Sequence, residues 1–151
     1  MHSLVRRYLK TAIAFLGVGL ALGGWMMIQR EFRGRAPSAY LTSAHTHAIF
    51  VGFVMMMILG VALWLFPRPE KGDTVYRPGL VSAAWWLVTT GTGARILGEL
   101  LHLRTRSIWL SWFVAFAGLA QILGIGTFFY TMWSRIRPLG SQVREDRGER
   151  F

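Results

Sequence analysis

The stretch YLTSAHTHAIFVGFVMMMILGVALWLFP, residues 40–67, decides the fold. It contains no Asp, Glu, Lys or Arg, and it exceeds the ~20 apolar residues that carry a helix across a hydrocarbon core of about 30 Å. Its charge-free context begins at Ala36, and three further runs without charge flank it: Thr11 to Gln29, Pro78 to Ala94 and Ser107 to Ser134. The first and last of these are long enough to span alone. The Pro78 run reaches span length only if Arg95 and Glu99 are carried inside the helix, through to about His102. The chain is therefore predicted to be all-α, an integral membrane four-helix bundle with helices at about 9–29, 40–66, 79–102 and 108–134. Proline at 37, 67, 69, 78 and 138 then falls only at helix edges, where a missing N–H costs least. Residues 1–140 form the transmembrane domain in this reading, and 141–151 a charged, unpatterned tail.

Composition agrees with the spans. Of 151 residues 53% are hydrophobic and 16% charged, against about 25% charged in soluble proteins, and the mean hydropathy is +0.39. Cysteine is absent, which excludes disulfide frameworks, thiolate metal sites and cysteine nucleophiles. The net charge of +10 rests on 17 Lys and Arg, all arginine except Lys10 and Lys71. In a soluble domain that excess would point to nucleic acid; here it marks the loops, and no nucleic-acid partner is expected. No P-loop or dinucleotide-binding glycine pattern occurs.

Basic residues near the spans set orientation. Arg30, Arg33, Arg35, Arg104 and Arg106 fall on one side, and eleven basic residues, from Arg6 to Arg150, on the other. Both termini, with the tail, are predicted to be cytoplasmic, in a multi-pass protein of the inner (plasma) membrane. Residues 1–24 have the basic start and apolar run of a signal peptide but lack a small-residue cleavage site, so they are read as a retained span.

His45 and His47 lie within the second span, one to two turns from its outer end, where an ionisable group is costly and usually functional. Cofactor ligation is one reading and hydrogen bonding between helices the other. At about 100° per residue, two positions apart point about 200° away from each other, so the pair cannot chelate one ion from one helix. They serve opposite flanks. Neutral imidazole binds zinc, copper, nickel or haem iron. The aliphatic, aromatic and methionine-rich wall that follows suits a flat macrocycle better than a hydrated ion, and Glu99 is the one carboxylate in the spans. Copper on Met55, Met56 and Met57 is the alternative; methionine is also an ordinary gap-filler.

The residues Tyr40-Leu-Thr-Ser-Ala-His45-Thr-His47, followed by Gly60 and Phe66-Pro67, resemble the tenth transmembrane helix of haem-copper oxidase subunit I, the superfamily that includes nitric oxide reductases. In that family an Ala-His-aromatic-His stretch gives one histidine to each of two haems; this chain has Thr46 at the aromatic position. The resemblance implies that His45 and His47 are ligands of haem b iron. The family's subunit is similar to three successive four-helix arcs with ligands on the second helix of each, so this chain resembles one arc. It has no further His pair for the family's copper, which argues against full oxygen reduction by a single protomer.

Arg95 and Glu99, four apart, share a helix face and are expected to neutralise each other. The functional reading has Arg95, Arg104 and Arg106 pairing haem propionates, since guanidinium groups bond carboxylates bidentately. His102 is a further axial candidate on the same side, its other reading being an exposed interfacial histidine. Trp25, Trp64, Trp109, Trp112 and Trp133 fall at interfacial depth, and glycines 17, 19, 23, 24, 118, 124 and 126 offer close helix approach. The function expected is haem-based respiratory electron transfer or oxygen or nitric oxide chemistry; a non-catalytic accessory or sensory subunit binding haem or copper is the alternative. A homotrimer with haem at its interfaces is expected, embedded in lipid and served by a redox partner protein.

Overall fold

A computed structural model describes residues 3–67, 74–136 and 147–148. The described residues are helical, with no strand, and form four long helices. Helix α1 is Ser3–Arg33 and α2 is Ala39–Leu65. Helix α3 is Pro78–Leu101, and α4 is Ile108–Met132 with a closing 3-10 turn, Trp133–Arg135. The predicted tail lies outside the described residues apart from Arg147 and Gly148.

Three helices, α1, α2 and α4 with its closing turn, are long and apolar enough to cross a membrane by length and composition. Helix α3 is comparable in length at 24 residues. It is the most polar of the four within its span because it turns that polarity inward: Thr92 and Glu99 are buried, alongside Val81, Ala84, Val88 and Ile96. Helix α1 runs further than expected at both ends. Its 31 residues rise roughly 46 Å, because charge ends a hydrophobic run without ending a helix. The stop is Gly34, whose φ of +59° is left-handed and suits glycine, with the Arg35 N–H donating to the Gln29 carbonyl at 3.1 Å. Ser38 then caps α2, its hydroxyl accepting from the Leu41 N–H at 3.2 Å. Pro78 starts α3, where its missing N–H is harmless.

The helices pack in chain order, α1 on α2, α2 on α3 and α3 on α4. This row curls closed at the end nearest residue 3. There Tyr8, Met56, Leu59, Val81, Val88, Phe128 and Met132 form the main core, and Tyr8 meets Phe128 edge-on at 5.7 Å. The Tyr8 hydroxyl donates to the Val81 carbonyl at 2.9 Å, and Trp85 donates to Thr11 at 3.2 Å. The opposite end holds a smaller cluster, Ala44, Ala48 and Ile96 with Phe15, Leu22 and Leu100 against it. The interfacial tryptophans 25, 64, 109, 112 and 133 are all exposed. The three methionines pack into or against the main core, Met56 with no exposure. They act there as gap-fillers.

Arg135 fastens the closed end. Only 5% exposed, it donates from Nε to the Pro67 carbonyl at 2.7 Å and from Nη2 to the Phe66 and Leu63 carbonyls at 2.9 and 3.3 Å. Its guanidinium lies 4.7 Å from the Tyr76 ring centroid. A cation from α4 thus satisfies the carbonyls at the end of α2, where the helix dipole also favours it. Arg135→Ala is expected to lower stability by about 2–3 kcal/mol, with Arg135→Lys recovering only part because one ammonium cannot reach three carbonyls in fixed geometry. Unfolding in mixed micelles followed by circular dichroism measures this; an unchanged midpoint for Arg135→Ala would contradict the capping role.

Candidate functional site

Helix α2 changes character at the histidines. It is α-helical from Ala39 to Thr46, π-helical over the nine residues His47–Met55, and α-helical again from Met56. π-Segments are rare and concentrate at functional sites. At this transition the backbone no longer pairs every carbonyl with the N–H four residues on, and side chains can take the acceptors instead.

His45 and His47 do point to opposite flanks. His45 faces α1, its Nδ1 2.9 Å from the Gly19 carbonyl oxygen. His47 turns back on its own helix and toward α3, with Nδ1 2.8 Å from the Ser43 carbonyl and 3.3 Å from the Ser43 hydroxyl. A carbonyl oxygen only accepts, so in each neutral ring the proton sits on Nδ1. Both Nε2 lone pairs are left without a hydrogen bond among the described residues. An Nδ1–H to carbonyl bond that fixes the tautomer and frees Nε2 is the usual outer-shell support of a histidine metal ligand. The donor set therefore fits a group that takes one imidazole at a time, and haem iron is such a group. No cluster of three or more His, Asp and Glu that could hold a bare ion occurs among the described residues.

The charge pair beside His47 has the geometry expected of mutual neutralisation. Arg95 Nε donates to Glu99 Oε1 at 3.1 Å. Ser43, on α2, donates its hydroxyl to the same oxygen at 2.7 Å, and His47 Nδ1 lies 3.9 Å away. Glu99 is 2% exposed, and its Oε2 has no hydrogen-bond partner. Ser43 links the histidine helix to the buried carboxylate, a role the sequence did not announce except by its place four residues before His47.

His102 caps α3 and is 7% exposed, so it is not the exposed interfacial residue that its position suggests. It stacks on Tyr40 at 4.4 Å between ring centroids, 12° from parallel. Its Nδ1 is buried without a partner. Arg104 and Arg106 line a pocket of about 300 Å³ with Ser38, Tyr40 and His102. The structure thus groups Arg104, Arg106 and His102 at the loop end of the bundle, one to two turns along α2 from His45 and His47, while Arg95 is engaged deeper in, with Glu99.

The glycines divide by use. A Cβ on Gly19 would meet the Ile49 side chain, one on Gly23 the His45 ring, one on Gly118 the Arg95 guanidinium and one on Gly124 Val88. These contacts are all within the chain, so at Gly19, Gly23, Gly118 and Gly124 the close approach is made by the chain's own side chains, whereas Gly17, Gly24 and Gly126 face open space.

No protein-family model matches the chain, and no solved structure matches it. One curated protein does: the Cbb3-type cytochrome c oxidase subunit CcoN1 of Stutzerimonas stutzeri is 31% identical over 90 residues. The matched stretch is 58% of this chain and 18% of that subunit, so the chain corresponds to less than a fifth of its relative. The likeness is distant and partial. It supports, at the level of superfamily at most, the haem-copper oxidase resemblance carried by α2, and the apolar helices agree with a membrane protein.

Proposed function

We propose that this protein binds b-type haem through His45 and His47 and serves respiratory electron transfer. The observation that carries the reading is that each imidazole commits Nδ1 to a carbonyl, at 2.9 and 2.8 Å, and leaves Nε2 open. Haem, when bound, supplies reversible one-electron chemistry whose potential follows the axial ligands and the dryness of the pocket. The chain's own residues orient the two ligands, keep water out with the small and apolar side chains around Ala44, Ala48 and Phe15, and offer Arg104 and Arg106 to the propionate carboxylates. Held by an imidazole from His45 and another from His47, the group would favour electron transfer over binding of a gas.

Ligands on opposite flanks of one helix leave each protomer with two half-sites. A heterologous contact repeated by rotation closes such half-sites into a ring, and a trimer with one haem per chain would complete every site, three being the number of such arcs that make up the resembling subunit. Purification in detergent, with a reduced-minus-oxidised spectrum, a pyridine haemochrome assay and native mass spectrometry, tests both parts. Three chains with three haems are expected. Absence of any haem would overturn the function, whereas a haem-replete monomer would overturn only the assembly.

The excess of basic residues beside the termini orients the histidine end away from the cytoplasm in this reading. Cysteine at Ala36 should react with an impermeant thiol reagent added outside intact cells, and cysteine at Thr74 should not. Both positions are exposed. The reverse labelling would invert the topology.

A further inference from the structure

Helix α1 carries a seat for His45 that has no counterpart at His47. Gly23 lies against the Cε1 end of the His45 ring: a Cβ there would fall 2.9 Å from Cε1, 3.3 Å from Nδ1 and 3.7 Å from Nε2. One turn earlier on the same helix, the Gly19 carbonyl takes the Nδ1 proton at 2.9 Å. The ring is therefore bounded at Cε1 by bare backbone and at Nδ1 by a carbonyl, both belonging to α1. A methyl group at 2.9 Å is closer than real contacts allow, so the ring would have to shift, and a shift away from α1 lengthens the Gly19 bond. His47, by contrast, is seated by Ser43 of its own helix. Gly24, the next residue along, faces open space.

We infer that Gly23 is a positioning residue for His45: by carrying no side chain it lets the imidazole reach the Gly19 carbonyl, which fixes the proton on Nδ1 and presents Nε2 as the ligand atom. This rests on the haem reading above for its consequence, but the tautomer it sets belongs to the protein without haem. Outer-shell partners of this kind typically change the affinity of a metal site about 10- to 100-fold, so Gly23→Ala should weaken haem retention on that scale through one ligand only. Helix α1 thereby controls one axial position and leaves the other alone.

The test compares wild type, Gly23→Ala and Gly24→Ala, each as the full chain in detergent. Histidine ¹⁵N spectra of haem-free protein, assigned with His45→Gln, read the tautomer; visible and electron paramagnetic resonance spectra read the ligation. Gly24→Ala should match wild type in both. Gly23→Ala should lose the Nδ1–H bias at His45, keep it at His47, and shift the ligation spectrum toward that of His45→Ala. Unchanged ¹⁵N shifts and unchanged spectra in Gly23→Ala would overturn the inference. If wild type binds no haem, the proposed function fails while the ¹⁵N comparison still decides the seat. Should Gly23→Ala fail to fold, the double variant with His45→Ala decides: the clash is with the ring, so removing the ring should restore folding. A double variant that stays unfolded would place the need for Gly23 elsewhere and overturn the assignment.

Discussion

His45→Ala and His47→Ala are each expected to abolish or reshape the haem spectrum of the purified protein, while His2→Ala leaves it intact. Each substitution removes one imidazole whose Nε2 is open and whose tautomer is already set, and no neighbouring histidine on α2 can replace it. If His45 and His47 hold haem as proposed, losing one imidazole would leave the iron a position free for an added ligand, which should appear as a high-spin signal and as new binding of carbon monoxide. Retention of a wild-type spectrum by both single variants would remove the histidines from the site. The two need not be equal in effect, because His45 is seated by another helix and His47 by its own.

Arg95→Ala is the second large effect expected, this time on stability. Glu99 is buried, and among the described residues its carboxylate has two close donors, Arg95 and Ser43. Removing the guanidinium leaves the buried carboxylate with one neutral hydroxyl as donor, a loss of about 2–3 kcal/mol for a charge-assisted bond whose arginine is itself partly exposed. Removing both charges, as in the Arg95→Ala, Glu99→Gln double variant, should recover most of that loss, since an amide costs less to bury than an uncompensated carboxylate. Reversible unfolding in mixed micelles gives the three values needed for the cycle. A double variant as unstable as Arg95→Ala would show that Arg95 matters through packing over Gly118 instead of through charge.

Hydrophobic length located three of the four helices, because crossing a membrane requires an uncharged run and little else satisfies that requirement over about 20 residues; the Pro78 helix is reached only by carrying Arg95 and Glu99 inside it. The same criterion falls short of the ends of α1, since the helix extends through Arg7 and Arg6 to Ser3 on one side and to Arg33 on the other; a membrane boundary and a helix boundary are different physical events. The opposed directions of His45 and His47 were legible from helical rotation alone. Their hydrogen-bond partners were not. Gly19, Gly23 and Ser43 matter through backbone carbonyls, absent side chains and a hydroxyl, none of which leaves a periodic signal. Gly19 and Gly23, four apart, did mark a face that another helix approaches closely, but whether that helix came from the same chain depended on the order of packing. In the sequence Arg135 is one more loop charge, and its burial reflects three carbonyls at the end of α2 that no linear pattern brings near it. The closeness of His102 to Tyr40 likewise depends on where α3 ends beside the start of α2.

The nine-residue π-segment of α2 has a consequence for insertion and deletion. A π-turn holds one residue more than an α-turn, so the segment acts as a phase shifter between two halves of one helix. Upstream and at the segment's first residue, His45 and His47 are clocked toward α1 and α3. Downstream, Met56, Leu59 and Leu63 are clocked into the main core. Removing the extra residue would let α-helix run through with the two halves still in phase, because the shorter α-turn covers nearly the rotation that the longer π-turn covered. Forcing α-helix through the segment at unchanged length would instead rotate one half against the other by about 100°. The same backbone irregularity therefore makes 47–55 the stretch of α2 where a one-residue change of chain length can be taken up locally, while the aim of the histidines and the packing of the main core both stay as they are.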